Sequence, residues 1–203
     1  MKRTQSFTVI LFALCCGLLL CNQTALAQNN STKEEYRGNA ISFNGPRLAT
    51  SFFNLTITGR TSDEDARRYL AILDDKGQDD ALNAIRDNDL GSLTFPGSLR
   101  RRLNVVRESS ANGQRRIFIV FERWTQFAEQ RFGYRSLDYP FGVVEIFVDE
   151  RTGKGEGTYI PAARLRFNTD KRTGAQTLEV ENFAVYPVRL NNIELVGNNG
   201  RKR

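Results

Sequence analysis

The sequence predicts an α+β fold: a single curved, mostly antiparallel β-sheet, either an open barrel or a sandwich, with an inserted helical hairpin packed on it. Two observations carry this prediction. Apolar and polar residues alternate in one segment before residue 60 and in nearly every segment after residue 91, and the convincing helical periodicity lies between them. The connections between the later segments are too short for the crossovers that parallel strands need. The sheet is therefore expected to be antiparallel and meander-like.

The first predicted strand spans residues 49–59. Ser62 then opens a helix with acids in its first turn, where the helix dipole favours them, and Gly77 is placed to cap the other end. Apolar residues recur along this helix at i, i+3, i+4 and i+7, which predicts one stripe facing the sheet. The stripe consists of Ala66, Tyr69, Leu70 and Leu73. A second, shorter helix is predicted at residues 79–87.

The segments after residue 91 are expected to be strands. They lie at residues 102–109, 114–124, 142–148, 158–167, 177–183 and 188–196. Asn112-Gly113 predicts a tight hairpin turn between the first two. Two segments of the form Asp-x-Arg-Thr-Gly, beginning at Asp149 and Asp170, predict two further turns of one type. The aromatic-rich stretch 125–140 has no clean period, and we expect a short helix followed by a loop.

Residues 1–27 have the pattern of a cleaved secretory signal peptide. Basic residues at the start precede an apolar run at residues 7–20, and small residues precede a predicted cleavage site between Ala27 and Gln28. The run is shorter than the roughly 20 residues of a transmembrane helix, and lipidation of Cys21 is disfavoured by the leucine before it. We therefore expect an exported protein, periplasmic or extracellular, with no transmembrane segment after cleavage.

Composition excludes several classes of chemistry. The three cysteines all lie in the leader and the chain has no histidine, so the mature chain would lack a thiol nucleophile, an imidazole base, a disulfide and a Cys/His zinc site. No cofactor and no metal are predicted. Without the leader the formal net charge falls from +6 to +4, which permits anionic partners without requiring them.

The mature chain is expected to form a single domain. Residues 28–39 are polar and predict a flexible tail, residues 40–197 predict the β-rich α+β domain, and residues 198–203 predict a basic disordered C-terminal tail.

Candidate binding residues are basic and aromatic. Seven arginines in three groups could bind acidic polysaccharide, lipid phosphates or an envelope protein, whereas nucleic acid is disfavoured because aromatic residues are not interleaved with them. These are Arg100, Arg101, Arg102, Arg115, Arg116, Arg164 and Arg166. If the hairpin pairs as predicted, its arginines gather at one end of the sheet. Trp124, Tyr134 and Tyr139 belong to an aromatic-rich region that either lines a pocket or covers the core.

Glu122 and Glu145 are the acids to test if the protein is an enzyme, because paired carboxylates hydrolyse glycosidic bonds without histidine or cysteine. The leading hypothesis is nevertheless an exported, non-enzymatic binding or interaction domain. A carboxylate-dependent carbohydrate hydrolase and a structural component of an envelope assembly are the alternatives. The assembly alternative predicts an exposed apolar patch or an unpaired strand edge.

Overall fold

The structure is a computed structural model that describes residues 33–44, 47–125, 127–169, 176–183 and 186–199. Its strands are β1 (Lys33–Asn44), β2 (Arg47–Ile57), β3 (Gly91–Thr94), β4 (Arg101–Arg102), β5 (Val105–Ala111), β6 (Gln114–Glu122), β7 (Phe141–Asp149), β8 (Lys154–Thr169), β9 (Gln176–Asn182) and β10 (Val188–Asn199). Its α-helices are α1 (Asp63–Lys76), α2 (Gln78–Ile85) and α3 (Phe127–Phe132), and a 3-10 turn follows at Arg135–Asp138.

These strands form one open antiparallel sheet in the order β4-β3-β2-β1-β10-β8-β7-β6-β5, and β9 pairs with the second half of β8. The predicted class, α+β with the sheet dominant, is confirmed. No helix in the part of the chain that the structure describes has the length and apolar character of a membrane span.

The inner face of the sheet encloses a core to which both ends of the strand order contribute. Phe53 on β2 and Ile119 on β6 belong to the same buried cluster, although four strands lie between β2 and β6 in the sheet order. Hydrogen bonds link the segment that follows β2 directly to β5 at the other end: Thr61 N donates to Val106 O at 2.8 Å, and Val106 N donates to the Thr61 hydroxyl at 3.0 Å. The sheet is therefore curved strongly enough for its two ends to meet.

The helical hairpin packs on the outer face of the same sheet. Leu73, Leu82 and Ile85 join Val120 and Phe141 in a second buried cluster. Both caps form as predicted: the Ser62 hydroxyl accepts from Asp65 N at 3.0 Å, and Gly77 ends α1 with φ of 87°. As a result, Val120 on β6 and Phe141 and Val143 on β7 are buried on the outer face of the sheet as well.

Both predicted turns within the described residues are confirmed. Asn112 and Gly113 adopt φ of 54° and 76° between β5 and β6. The Asp149 carboxylate accepts from the backbone of Arg151 and Thr152 at 3.1 and 2.7 Å. The turn at residues 170–174 lies outside the described residues, as do the leader, residues 28–32 and residues 200–203.

The flexible tail predicted at residues 28–39 is wrong from residue 33 onward. Residues 33–39 belong to β1, and Glu34 and Tyr36 are only 5% and 0% exposed. The polar composition of this segment did not indicate a strand. Glu34 can nevertheless face inward, because its carboxylate is neutralised by arginines that are distant in sequence. At the other end, residues 198–199 continue β10 and are not a tail.

Candidate functional site

A cavity of about 370 Å³ lies between the helical hairpin and the outer face of the sheet. We call it the hairpin pocket. Its walls come from both helices and from five strands, β5 to β9, and most of its lining is hydrocarbon. The lining residues are Asp63, Ala66, Arg67, Tyr69, Leu70, Leu73, Ala81, Ile85, Val105, Arg107, Phe118, Val120, Phe141, Leu165 and Leu178.

The pocket exists because α1 stands away from the sheet along most of its apolar stripe. All four stripe residues line the pocket, but Leu73 is the one buried residue of α1, and Leu70 remains 37% exposed. An apolar stripe of this kind normally packs directly on the sheet. Here the stripe and the sheet instead form two sides of an apolar cavity, and an apolar ligand would complete the burial of both.

Three charged side chains lie among the lining residues. Arg107 bonds the Asp63 carboxylate at 2.5 Å and donates to Thr61 O at 2.8 Å. The hydrogen bond from Arg107 lowers the pKa of Asp63, so this carboxylate is ionised at neutral pH. Arg67 also lines the pocket, and its charge contributes to the lowered pKa of Asp63, but it forms no salt bridge within 4 Å of an acid among the described residues. Two arginines against one aspartate leave the polar part of the pocket with one excess positive charge.

A second cavity of about 620 Å³ adjoins the hairpin pocket and shares Arg107, Phe118 and Leu178 with it. Its floor carries the ion pair between Arg116 and Glu145, whose side chains are 2.5 Å apart. The adjoining cavity is thus more polar than the hairpin pocket. Together the two cavities offer an apolar chamber next to a charged one.

A buried charge cluster lies at the opposite edge of this region, where β1 meets β5 and β6. Arg115 is 3% exposed and bonds both Glu34 and Glu108 at 2.7 to 3.2 Å, and Arg60 reaches the same two carboxylates at 2.8 and 3.0 Å. The Tyr36 hydroxyl donates to Glu34 at 2.9 Å. Two arginines balance two glutamates, so the cluster is electrically neutral.

The pKa values of this cluster reflect its burial and pairing. Burial opposes ionisation of Glu108, but hydrogen bonds from Arg115 and Arg60 outweigh it, and the pKa of Glu108 is lowered. Burial, reinforced by the Glu34 carboxylate, raises the pKa of Tyr36. Burial would lower the pKa of Arg115, yet its glutamate partners raise it. The shifted pKa values of Glu108, Tyr36 and Arg115 each favour the protonation state that these residues have at neutral pH, which suits a structural link between the strands.

The predicted gathering of arginines at one end of the sheet is wrong. The strand at residues 102–109 was placed too early: Arg102 belongs to β4 and pairs with β3, whereas β5 begins at Val105. Since Val105 pairs with Val120, Arg115 lies five residues, about 17 Å, along β6 from that point. The two groups therefore occupy opposite ends of the β5–β6 hairpin.

Most of the predicted binding arginines are occupied by acids of this chain. Arg100 and Arg102 both approach Asp89, at 3.3 and 3.9 Å, and Arg116 pairs with Glu145. Arg115 was expected on the surface and is instead buried in the charge cluster, so it is unavailable to a ligand. Ion pairs of this kind reduce the charge that a polyanion would meet.

The remaining predicted residues form two small groups. Arg101 lies over the ring of Trp124, with 5.8 Å from guanidinium carbon to ring centroid, and Trp124 is 63% exposed. The second group consists of Tyr139 and Arg166, which are linked through Glu181. The Glu181 carboxylate accepts from the Tyr139 hydroxyl at 2.6 Å and pairs with Arg166 at 2.9 Å.

Arg164 and Tyr134 complete the predicted set without joining either group. The Nε of Arg164 is buried and makes no hydrogen bond within the described residues. Tyr134 is 52% exposed and contacts Phe132, at 6.1 Å between ring centroids. The aromatic-rich region is thus divided between core and surface, because Tyr139 is buried whereas Trp124 and Tyr134 are not.

The two candidate acids are not brought together. Glu145 pairs in register with Phe118, and Glu122 lies four residues further along β6, so the two backbones are separated by about 13 Å along the strands. Glycosidases place their two carboxyl groups about 5–9.5 Å apart. Each acid also has its own arginine, Arg86 for Glu122 and Arg116 for Glu145. Within residues 33–44, 47–125, 127–169, 176–183 and 186–199, no group of three or more acids, histidines or cysteines could hold a metal ion.

The residues at the polar part of the pocket, Asp63, Arg67 and Arg107, were not among the predicted site residues. They are separated by up to 44 positions, and α1 and β5 bring them together. The sequence did contain one signal of the pocket, namely the α1 stripe. No family model, no curated protein and no solved structure matches this chain.

Proposed function

We propose that the protein is an exported, non-enzymatic domain that binds a small molecule with a hydrocarbon body and a negatively charged head in the hairpin pocket. The observation that carries the proposal is a cavity of about 370 Å³ with an almost wholly hydrocarbon lining beside an unpaired arginine, Arg67. That volume lies within the about 300–1,000 Å³ typical of small-molecule pockets, which are likewise mostly apolar with a few polar groups that orient the ligand.

The excess positive charge supports a negatively charged head. Arg107 is already engaged by Asp63 and Thr61, which fixes its position, while Arg67 is available to a carboxylate or phosphate. A hydrocarbon tail beside Leu70, Leu73 and Leu178 would remove apolar surface from water, worth about 0.8 kcal/mol for each buried methylene. Each added methylene is then expected to tighten binding about fourfold until the chain outgrows the pocket.

Two of the three earlier functional hypotheses have less support. Recognition of an anionic envelope polymer needs accessible arginines, and Arg100, Arg102, Arg115, Arg116 and Arg166 are paired with acids of the chain. The hydrolase hypothesis needs two carboxylates in one cleft, and Glu122 and Glu145 are too far apart along β6 and β7. The proposal also includes the finer description of the sheet as an open barrel, supported by the core that its two ends share.

The experiment is a calorimetric titration with straight-chain fatty acids of about 8 to 14 carbons and with the matching alcohols. Saturable binding that strengthens with chain length and is tighter for the acid than for the alcohol is expected. Arg67→Gln should remove the preference for the acid, and Lys76→Gln is the matched control, because Lys76 lies on the same helix, is exposed and is not a lining residue. The proposal fails if no chain of either series binds.

A variant that fills the hairpin pocket tests whether the ligand binds there. Ala66 lines the pocket, so Ala66→Phe should weaken binding by at least about tenfold, a change of about 1.4 kcal/mol. Ala71 lies on the same helix but is exposed and outside the lining, so Ala71→Phe should leave affinity unchanged. Equal affinity in both variants would place the ligand elsewhere on the protein.

A further inference from the structure

One edge of the sheet is left without a partner strand along much of β2. Strand β1 pairs with β2 over its full length, but on the other side β3 pairs only with residues Asn54–Ile57. Residues 47–53 therefore present a row of backbone groups that bond no other strand in the described part of the chain. Unpaired edges readily accept a further strand.

This edge lacks the protection that natural sheet edges usually have. Residues 48–57 contain no charged residue, no proline and no glycine, and β-branched and aromatic residues are frequent. Inward lysines, prolines and bulges are the usual means of blocking edge pairing, and none occurs here. A segment of this composition pairs readily with another extended chain.

The outer face beside the edge is apolar and exposed. Phe43, Leu48 and Phe52 are 45%, 61% and 72% exposed. Phe43 pairs in register with Leu48, and Phe52 lies two pairs further along the same face. Thr50, between Leu48 and Phe52, lies on that face too. The β1–β2 hairpin therefore combines an unpaired edge with an apolar stripe.

The stripe is complementary to itself. A twofold axis through Thr50, normal to the sheet, would pair residue 50 with its own copy, Leu48 with the copy's Phe52, and Phe52 with the copy's Leu48. Outer faces coincide in this register because each pair joins residues of the same parity. Phe43 of each copy lies beside Leu48 on the same face, so it would extend the apolar surface formed by the two Leu–Phe pairs. Arg47, the one charged residue of the segment, would pair with Phe53 of the copy, so no like charges meet across the axis.

We propose that the β2 edge at residues 47–53 binds the same edge of a second copy of this chain, forming an antiparallel, twofold-symmetric dimer centred on Thr50. Self-complementary packing of one patch is what a twofold interface requires. The paired segment is about 24 Å long, which makes the interface smaller than a standard protein–protein interface. The dimer is accordingly expected to be weak and to depend on protein concentration.

The test is sedimentation equilibrium of the purified protein over a range of concentrations. Wild type is expected to change from monomer to dimer across the micromolar range. Thr50→Lys places two lysines opposite each other at the axis and should weaken the dimer at least about tenfold. Thr56→Lys is the matched control: it lies on the same face of β2, but in the part already paired with β1 and β3, beside Glu35. It should leave the dimer unchanged.

A charge-swap mixture identifies the twofold register. Thr50→Lys and Thr50→Glu are each expected to be monomeric, while an equal mixture should form heterodimers because opposite charges meet at the axis. Circular dichroism of each variant checks that the fold is intact. A monomeric wild type at all concentrations, a dimer that persists in both variants, or a mixture that stays monomeric would overturn the proposal. A partner strand from another protein would be the alternative occupant in the first case.

Discussion

Replacing Arg115 by methionine tests the buried charge cluster that joins β1 to β5 and β6. The side chain is 4% exposed and donates four hydrogen bonds to Glu34 and Glu108, whereas Arg60 donates two to the same carboxylates. Removing one partner of a buried ion pair costs about 3–5 kcal/mol, because the other charge remains buried. Arg60 still reaches both carboxylates in the variant, so we expect the lower end, about 3 kcal/mol.

The assay is urea unfolding followed by circular dichroism, with Arg116→Met as the matched control. Arg116 is the next residue, but its side chain is 54% exposed and it forms a surface pair with Glu145. Surface pairs contribute at most about 1 kcal/mol, so the control should lose no more than that. Equal losses in the two variants would refute the reasoning.

The pH dependence supplies a second check on the same variant. In the wild type, pairing lowers the pKa of Glu108, so this group stabilises the fold above its ordinary pKa and the stabilisation is lost as pH falls through the lowered value. Without Arg115, the carboxylates of Glu34 and Glu108 lose a partner, and their protonation lowers the cost of losing it. The difference in unfolding free energy between wild type and Arg115→Met should therefore shrink between about pH 7 and about pH 4. A constant difference would show that lost packing, and not stranded charge, explains the effect.

Two further predictions concern the helix cap and the buried tyrosines. Ser62→Ala removes the hydroxyl that accepts from Asp65 N and should lower the unfolding free energy by about 1 kcal/mol, whereas Ser62→Thr should keep a capping hydroxyl and most of the stability; equal losses would contradict the capping role. Burial raises the pKa of Tyr36 and Tyr159, so the folded state opposes their ionisation and stability is lost as pH rises above about 10. Ultraviolet titration should find that at least two of the six tyrosines ionise only on unfolding, and reversible ionisation of all six in the folded protein would contradict it.

Local patterns predicted the elements well because they depend on neighbouring residues. The capped helix from Ser62 to Gly77, the Asn112-Gly113 turn and the Asp149 turn all form as expected, since each is held by hydrogen bonds or backbone angles within a few positions. The predicted strand at residues 49–59 is likewise close to β2. These contacts need no knowledge of the rest of the fold.

Local sequence patterns could not predict contacts between residues that are far apart in the sequence. Glu34 looked like part of a polar tail, and Arg115 looked like a surface residue, because each is neutralised by a partner 81 positions away. The arginine groups were expected to meet, but the correctly predicted Asn112-Gly113 turn pairs Ala111 with Gln114, and this register carries residue 102 away from Arg115. The α1 stripe was read correctly from its spacing, but spacing does not reveal how closely a helix approaches the sheet.

The central claim is that a hydrocarbon chain lies between α1 and the sheet. The most direct measurement is a set of isotope-filtered nuclear Overhauser contacts between a bound fatty acid and the methyl groups of the protein. Contacts from the ligand methylenes to Leu70, Leu73 and Leu178 are predicted, because these three residues line the hairpin pocket on its helix and strand sides. A ligand that contacts only the exposed Leu48 on the β1–β2 hairpin, or that gives no contacts to any methyl group, would contradict the account.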